Sequence, residues 1–116
     1  IKKDGALILT APFASGTHFA PFHFATGFNR YFYEENLKDN GFEIIKIEEN
    51  GNFFEFLAQE VRRTPFMLKK YSNKILLPLM YSTATLFLAM IYLADHFDNR
   101  SKEFMCYGYF VVAKKK

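Results

Sequence analysis

The chain has 116 residues and a net charge of +3, and 50% of its residues are hydrophobic. This length fits one small domain or part of a larger one, and the apolar content excludes a disordered tail. Three positive charges are the terminal Lys114, Lys115 and Lys116, so the rest of the chain is near neutral and offers no basic surface for nucleic acid. The single cysteine, Cys106, excludes an internal disulfide and a thiolate metal cluster, and indicates a small core residue.

The first predicted element is a strand over Ala6-Leu7-Ile8-Leu9-Thr10-Ala11. An apolar run without alternation is typical of a strand that is buried on both faces. A long loop follows, from Pro12 to Phe28. Residues 1–5 resemble neither a signal peptide nor a typical chain start, so we expect the chain to begin inside a longer protein.

A helix is predicted next, capped by Asn29 and ending at Asn40. Gly41 then supplies the positive φ that commonly ends a helix. Phe42 to Glu48 is predicted as a strand, with Ile45 and Ile47 on one face. Charged side chains on the opposite face indicate a strand at the edge of the sheet.

A second helix is predicted to begin after Asn52, because Glu55 stands three residues later and completes a capping box. Thr64-Pro65 predicts the end of this helix, since a residue before proline avoids the helical region. The last element, Phe104 to Ala113, is apolar almost throughout, and we expect it to be a central strand.

The stretch from Ile75 to Ala94 has no charged residue, and it is long enough for a transmembrane helix. Pro78 and several hydroxyl-bearing side chains dilute this pattern. Small residues recur at helical spacing and suit close helix packing: Ser82, Thr85 and Ala89. We therefore favour a buried or dimer-forming helix over a membrane span.

Three segments carry a further pattern. The first is Lys3-Asp4-Gly5 with the apolar run that ends in Thr10-Ala11-Pro12. The second begins with Thr26-Gly27-Phe28-Asn29-Arg30-Tyr31-Phe32 and ends with Gly41-Phe42-Glu43-Ile44. The third is Tyr107-Gly108-Tyr109-Phe110-Val111-Val112-Ala113. In this order they resemble the fifth strand, the next helix with the sixth strand, and the last strand of class I S-adenosylmethionine-dependent methyltransferases of type 11. Asp4 stands where that family usually has proline, and Gly5 stands where two glycines often occur.

The resemblance implies an α/β fold: a partial Rossmann-like methyltransferase sheet of three strands, with the last strand antiparallel in the centre, and helices that include one long apolar helix. Residues 1–116 would be the C-terminal part of the domain, and residues 52–103 a helical insertion. The sequence has no G-x-G-x-G turn, so S-adenosylmethionine would bind to an N-terminal half of the same protein. We expect this chain alone to bind no cofactor and to be inactive, and the methyl acceptor of the parent protein to be small or lipid-like.

The loop after the first strand lies where ligands bind in doubly wound sheets. His18 and His23 could take a proton from a substrate there, or be exposed loop residues. Arg30 could bind an anionic substrate or lie on the surface, and Tyr31 opens the same helix. No third ligand for a metal stands nearby, and no catalytic residue is assigned. Five phenylalanines could line an apolar pocket or pack the loop: Phe13, Phe19, Phe22, Phe24 and Phe28.

Two adjacent acidic pairs, Glu34-Glu35 and Glu48-Glu49, are interpreted as solvated charges, because neighbours in sequence share neither a helix face nor a strand face. An alternative function stays open, namely a non-enzymatic module, membrane-associated or oligomerising, that is built on the Ile75–Ala94 helix. We expect the chain alone to form a homo-oligomer. We also expect a cytoplasmic location, with membrane contact through this helix left open.

Overall fold

The computed structural model describes residues 1–18 and 20–116. This part of the chain has an α/β fold with one three-stranded antiparallel sheet and three α-helices. The elements are β1 (Ala6–Pro12), α1 (Arg30–Asp39), β2 (Phe42–Asn50), α2 (Phe53–Tyr71), α3 (Leu77–His96) and β3 (Gly108–Lys115), with 3₁₀ turns at Lys74–Leu76 and Ser101–Glu103. They form two compact units, residues 1–51 with 105–116 and residues 52–104.

The centre of the sheet is β3, which pairs antiparallel with β1 on one side and β2 on the other. This confirms the predicted strand order and the edge position of β2. Val111 and Ala113 of β3 are buried, as the apolar sequence predicts. The strand begins later than expected, at Gly108 rather than Phe104, because a 3₁₀ turn comes just before Phe104 and leaves its ring exposed.

One face of the sheet packs against α1. Tyr33 and Leu37 of the helix form a core with Tyr109, Val111 and Ala113 of the central strand. Every second residue of β1 points away from this core, and Ile8 is 64% exposed. The prediction that β1 is buried on both faces is therefore wrong, because a sheet covered on one side buries only alternate residues.

A β-bulge in β2 reverses the expected orientation of its isoleucines. Ile44 pairs with Ala113, whereas Lys46 pairs with the preceding residue of β3, so Ile45 is the extra residue and is exposed. Ile44 and Ile47 therefore share the face that packs on the core. The prediction that Ile45 shares a face with Ile47 is wrong, because one inserted residue inverts the alternation beyond it.

The predicted helix caps are confirmed. The side chain of Asn29 accepts a hydrogen bond from the amide of Phe32 at 3.1 Å, and Gly41 follows α1 with φ of 70°. Asn52 and Glu55 form the reciprocal capping box at the start of α2. These ends were predictable because each depends on a few adjacent residues.

The expected end of the second helix at Thr64-Pro65 is wrong, because α2 continues through Pro65 to Tyr71. A proline inside a helix cannot donate to the carbonyl four residues earlier, which here belongs to Val61. The hydroxyl of Thr64 donates to this carbonyl at 2.7 Å. The side chain of the preceding residue thus replaces the missing backbone hydrogen bond.

The second unit is an antiparallel hairpin of α2 and α3. Its core contains Ala58 and Val61 of α2 with Ala84 and Ile91 of α3. At one end the amide of Asn52 donates to the carboxylate of Asp95 at 2.7 Å. These contacts hold one side of α3 against α2.

The remaining surface of α3 is exposed, which corrects the expectation that Ile75–Ala94 is buried within one chain and leaves its dimer-forming alternative as a prediction. The segment Lys74–His96 is long and apolar enough to cross a membrane by length and composition, and only 11% of its most apolar stretch is buried. The small residues Ser82, Thr85 and Ala89 are also exposed. A single neighbouring helix covers one side of α3, so its apolar surface needs a further partner.

The role of Thr64 predicts a difference between two threonines. Thr64→Val should lower the free energy of unfolding by about 1–2 kcal/mol, because the Val61 carbonyl would lose its donor beside Pro65. Thr85→Val is the matched control, since the Thr85 hydroxyl bonds a carbonyl inside regular helix, and it should cost less than about 0.5 kcal/mol. Urea denaturation followed by circular dichroism measures both, and equal losses would contradict this role.

Candidate functional site

The strand ends form the scaffold of the candidate site. Pro12 at the end of β1 and Asn50 at the end of β2 both pair with Gly108, the first residue of β3. A Cβ atom on Gly108 would collide with the backbone carbonyl of Ala11, so only glycine permits this close approach. The carboxyl ends of β1 and β2 are thereby held beside the start of β3.

The loop after β1 closes on itself and returns to the strand end. The amide of Phe28 donates to the carbonyl of Pro12 at 3.2 Å. Gly27 makes this return with φ of 146°, and a side chain there would collide with the same carbonyl. The end of the loop, and with it the start of α1, therefore lies beside the end of β1.

The two loop histidines lie together. Their ring centroids are 4.7 Å apart, and Nδ1 of His18 lies 2.8 Å from the carbonyl oxygen of Gly16. Nε2 of His23 lies 3.5 Å from the hydroxyl of Ser15, which donates to the carbonyl of Thr26 at 2.9 Å. His18 is exposed and His23 is half-buried. An imidazole can exchange a proton with a bound ligand.

Ser15 was not among the residues singled out from the sequence. It bonds residues that are eight and eleven positions away, and no short motif spans that distance. Only the closure of the loop brings these side chains together.

Arg30 is held by two carboxylates. Its Nε donates to Glu34 at 2.6 Å and its Nη1 to Glu49 at 3.2 Å. The hydrogen bond that Arg30 donates to Glu34 is the main cause that raises the pKa of Arg30, and the charges of Glu34 and Glu49 add to it. An anionic substrate would have to compete with both carboxylates for this guanidinium.

The interpretation of the acidic pairs needs a correction at two positions. Glu34 and Glu49 are partners of Arg30 rather than solvated charges, because the helix places the arginine between them. Glu35 is exposed, and Glu48 is exposed and pairs with Lys46 on the sheet at 2.9 Å. Glu48 and Glu49 thus point to opposite faces of the sheet, as strand geometry predicts for neighbouring residues.

Cys106, Tyr33 and Tyr109 lie in the hydrophobic core of the sheet unit. Cys106 and Tyr109 are buried, and the sulfur donates to the carbonyl of Gly108 at 3.3 Å. The expectation that Cys106 is a small core residue is confirmed. Burial, with Cys106 close by, raises the pKa of Tyr109 to about 12. Burial likewise raises the pKa of Tyr33, whose hydroxyl has no hydrogen-bond partner among the described residues.

The aromatic residues of the loop do not converge on one pocket. Phe13 packs against the core, with its ring 6.3 Å from that of Tyr109. Phe28 stacks on Phe32 at 3.9 Å. The rings of Phe22 and Phe24 are largely exposed, and so is the ring of Tyr31 at the start of α1. The fifth phenylalanine, Phe19, lies outside the described residues.

An open cleft of about 570 Å³ lies at the strand ends. Residues of all three strands line it, together with Tyr107, which precedes β3: Thr10, Ala11, Pro12, Glu48, Glu49, Asn50, Tyr107, Gly108, Tyr109 and Phe110. Its position is the one expected for a ligand in a doubly wound sheet, although strand residues rather than the loop aromatics form its walls. Among residues 1–18 and 20–116, no group of three or more metal-ligating side chains is placed to hold an ion.

The buried tyrosine predicts a change of stability with pH. The unfolded chain loses the Tyr109 proton near pH 10 and the folded chain only near 12, so the free energy of unfolding should fall by roughly 2–3 kcal/mol as pH rises through this window. Tyr109→Phe should flatten this decline, whereas Tyr31→Phe, at an exposed ring, should not. Urea midpoints measured from pH 8 upwards test this, and an unchanged slope in Tyr109→Phe would refute it.

No protein-family model, no curated protein and no solved structure matches the chain. The comparisons therefore identify no methyltransferase, and the likeness to that family rests on the three sequence segments described above.

Proposed function

We propose that the chain is the C-terminal, substrate-side portion of a class I S-adenosylmethionine-dependent methyltransferase. The observation that supports this most strongly is the sheet order, in which the last strand lies between the other two and antiparallel to both. This is the order that the resemblance implies for the fifth, seventh and sixth strands of a Rossmann-like methyltransferase sheet. Residues 52–103 are the insertion before the last strand in this proposal.

The free edge of β1 supports the same proposal. β1 pairs with β3 along its whole length and with no other described strand. In the parent sheet the next strand of the cofactor half would pair with this edge. Exposed strand edges of this kind invite pairing, so an adjoining strand would also remove an aggregation risk.

The strand-end residues would serve the acceptor rather than the cofactor. When bound to the N-terminal half, S-adenosylmethionine supplies the methyl group of its sulfonium. The cleft at the strand ends would position a small or lipid-like acceptor, and positioning is the main contribution that a protein makes to such a transfer. The His18–His23 pair would accept the proton that the acceptor releases. Arg30, fixed by two carboxylates, would hold the start of α1 against β2.

Cofactor binding tests this proposal. Titration calorimetry of the 116-residue chain with S-adenosylmethionine should show no saturable heat, because the sequence has no glycine-rich cofactor turn. The longer protein encoded with its upstream region should bind the cofactor and carry a G-x-G-x-G turn there. Micromolar binding by this chain alone, or an upstream region without such a turn, would contradict the proposal.

A non-enzymatic module is the second candidate, and the exposure of α3 favours it. In that case the hairpin would be the working surface and the sheet its support. The upstream sequence distinguishes the two candidates, since only the methyltransferase requires a cofactor-binding half.

A further inference from the structure

The side of α3 that faces away from α2 is apolar. Ala84, Leu88 and Ile91 point toward α2. Large hydrophobic side chains on the opposite side are exposed, among them Leu79, Leu86, Met90 and Leu93. Leu86 is 68% exposed and Leu93 is 64% exposed. Single exposed leucines are common on protein surfaces, but a group of them on one helix face indicates a binding surface.

The hydroxyl groups on this helix are already satisfied by the helix itself. Ser82 donates to the carbonyl of Pro78 at 2.9 Å, Thr83 to that of Leu79 at 2.9 Å, and Thr85 to that of Tyr81 at 2.8 Å. A hydroxyl that donates to its own backbone can enter an apolar medium at low cost. These hydroxyls therefore add little to the cost of placing the exposed surface of α3 against an apolar partner.

Cations outnumber acids beside this surface, where Glu60 pairs with Arg63 at 2.7 Å and Asp95 lies at the end of α3. Residues 61–94 contain five cationic side chains and no acidic one, and the cations are Arg62, Arg63, Lys69, Lys70 and Lys74. The three lysines lie at the turn between α2 and α3 and are exposed. Arg62 reaches α3 and donates to the hydroxyl of Tyr92 at 2.7 Å. An apolar helix face flanked by cations matches an anionic phospholipid surface.

We propose that the α2–α3 hairpin binds to an anionic phospholipid bilayer, with α3 lying in the plane of the interface and its outward leucines in the acyl region. An in-plane position follows from α2, which packs along α3 and carries Glu60, Arg62 and Arg63 midway along its length. A spanning α3 would carry these charges toward the centre of the bilayer, which is costly. This inference does not depend on methyl transfer.

A groove between the two helices favours lipid over a second copy of the chain. It measures about 340 Å³ and is lined by four apolar side chains and two threonines whose hydroxyls donate to their own helix: Val61, Thr64, Met80, Thr83, Ala84 and Phe87. An acyl chain can fill such a groove, whereas a flat helix pairing along the small residues would leave it empty.

Vesicle cosedimentation of the 116-residue chain tests the proposal. The chain should bind vesicles of phosphatidylcholine with phosphatidylserine more tightly than vesicles of phosphatidylcholine alone, and added salt should weaken binding to the former. The double variant Leu86→Glu with Leu93→Glu should bind at least about tenfold more weakly, because two leucines would no longer enter the bilayer. Ile45→Glu is the matched control, since Ile45 is equally exposed but lies in the other unit, and it should bind as the parent chain does.

A pair of triple variants tests whether the lysines beside α3 cause the preference for anionic lipid. Replacing Lys69, Lys70 and Lys74 with glutamine should remove the preference for phosphatidylserine. Replacing Lys2, Lys3 and Lys38 with glutamine makes the same change in net charge within the other unit and should leave the preference intact. An equal effect of the two triple variants would show that net charge alone attracts the chain to lipid, and would overturn the assignment of this surface.

A tryptophan probe keeps the test decisive if the glutamate variant fails to fold. The chain contains no tryptophan, so Leu86→Trp and Ile45→Trp each introduce a single fluorophore without a new charge. With phosphatidylserine vesicles, emission from Leu86→Trp should shift to the blue and be quenched by brominated lipid, whereas emission from Ile45→Trp should not. Absence of quenching at position 86 would overturn the proposal, as would a stable dimer by light scattering that does not bind vesicles.

Discussion

The pairing of β3 with both of its neighbours is the constraint on which the first unit depends. Each residue from Gly108 to Lys114 has a partner in β1 and another in β2, so this strand closes a sheet whose other strands are far earlier in sequence. Val111 and Ala113 lie at the middle of this strand and are almost fully buried. The core against α1, the strand-end cleft and the buried Tyr109 all take their positions from β3.

This constraint explains which parts of the structure were predictable. Caps such as Asn29 and the Asn52–Glu55 pair depend on neighbours within a turn, and the sequence displays them directly. The strand order followed from the uncharged run of β3 and from the family resemblance. By contrast, the bulge at Ile45 depends on the register against β3, which a single strand does not contain.

Other features depend on contacts between distant or unusual partners. The continuation of α2 past Pro65 depends on one hydroxyl, that of Thr64, and the rule for proline alone predicts a stop. The meeting of His23 with Ser15, and of Arg30 with Glu49, requires the loop and the sheet to have formed. The sequence therefore predicted where the candidate site lies better than which side chains meet in it.

The two units offer different chemistry. The sheet unit presents a cleft at the strand ends and, in the loop after β1, a pair of histidines, and such groups suit a ligand with an exchangeable proton. The helical unit presents the apolar side of α3 beside a group of cations, which suits an anionic lipid surface. A lipid-like methyl acceptor would join the two proposals, since such an acceptor resides where the helical unit would bind.

Amide hydrogen exchange, resolved by residue, measures the central role of β3 most directly. A strand with partners on both edges opens only when the sheet does, whereas a strand with one partner can fray from its free edge. We predict that the slowest-exchanging amides of the sheet unit belong to β3 around Val111, and that those of β1 and β2 exchange faster. Slower exchange in β1 or β2 than at Val111 would contradict a sheet organised around its last strand.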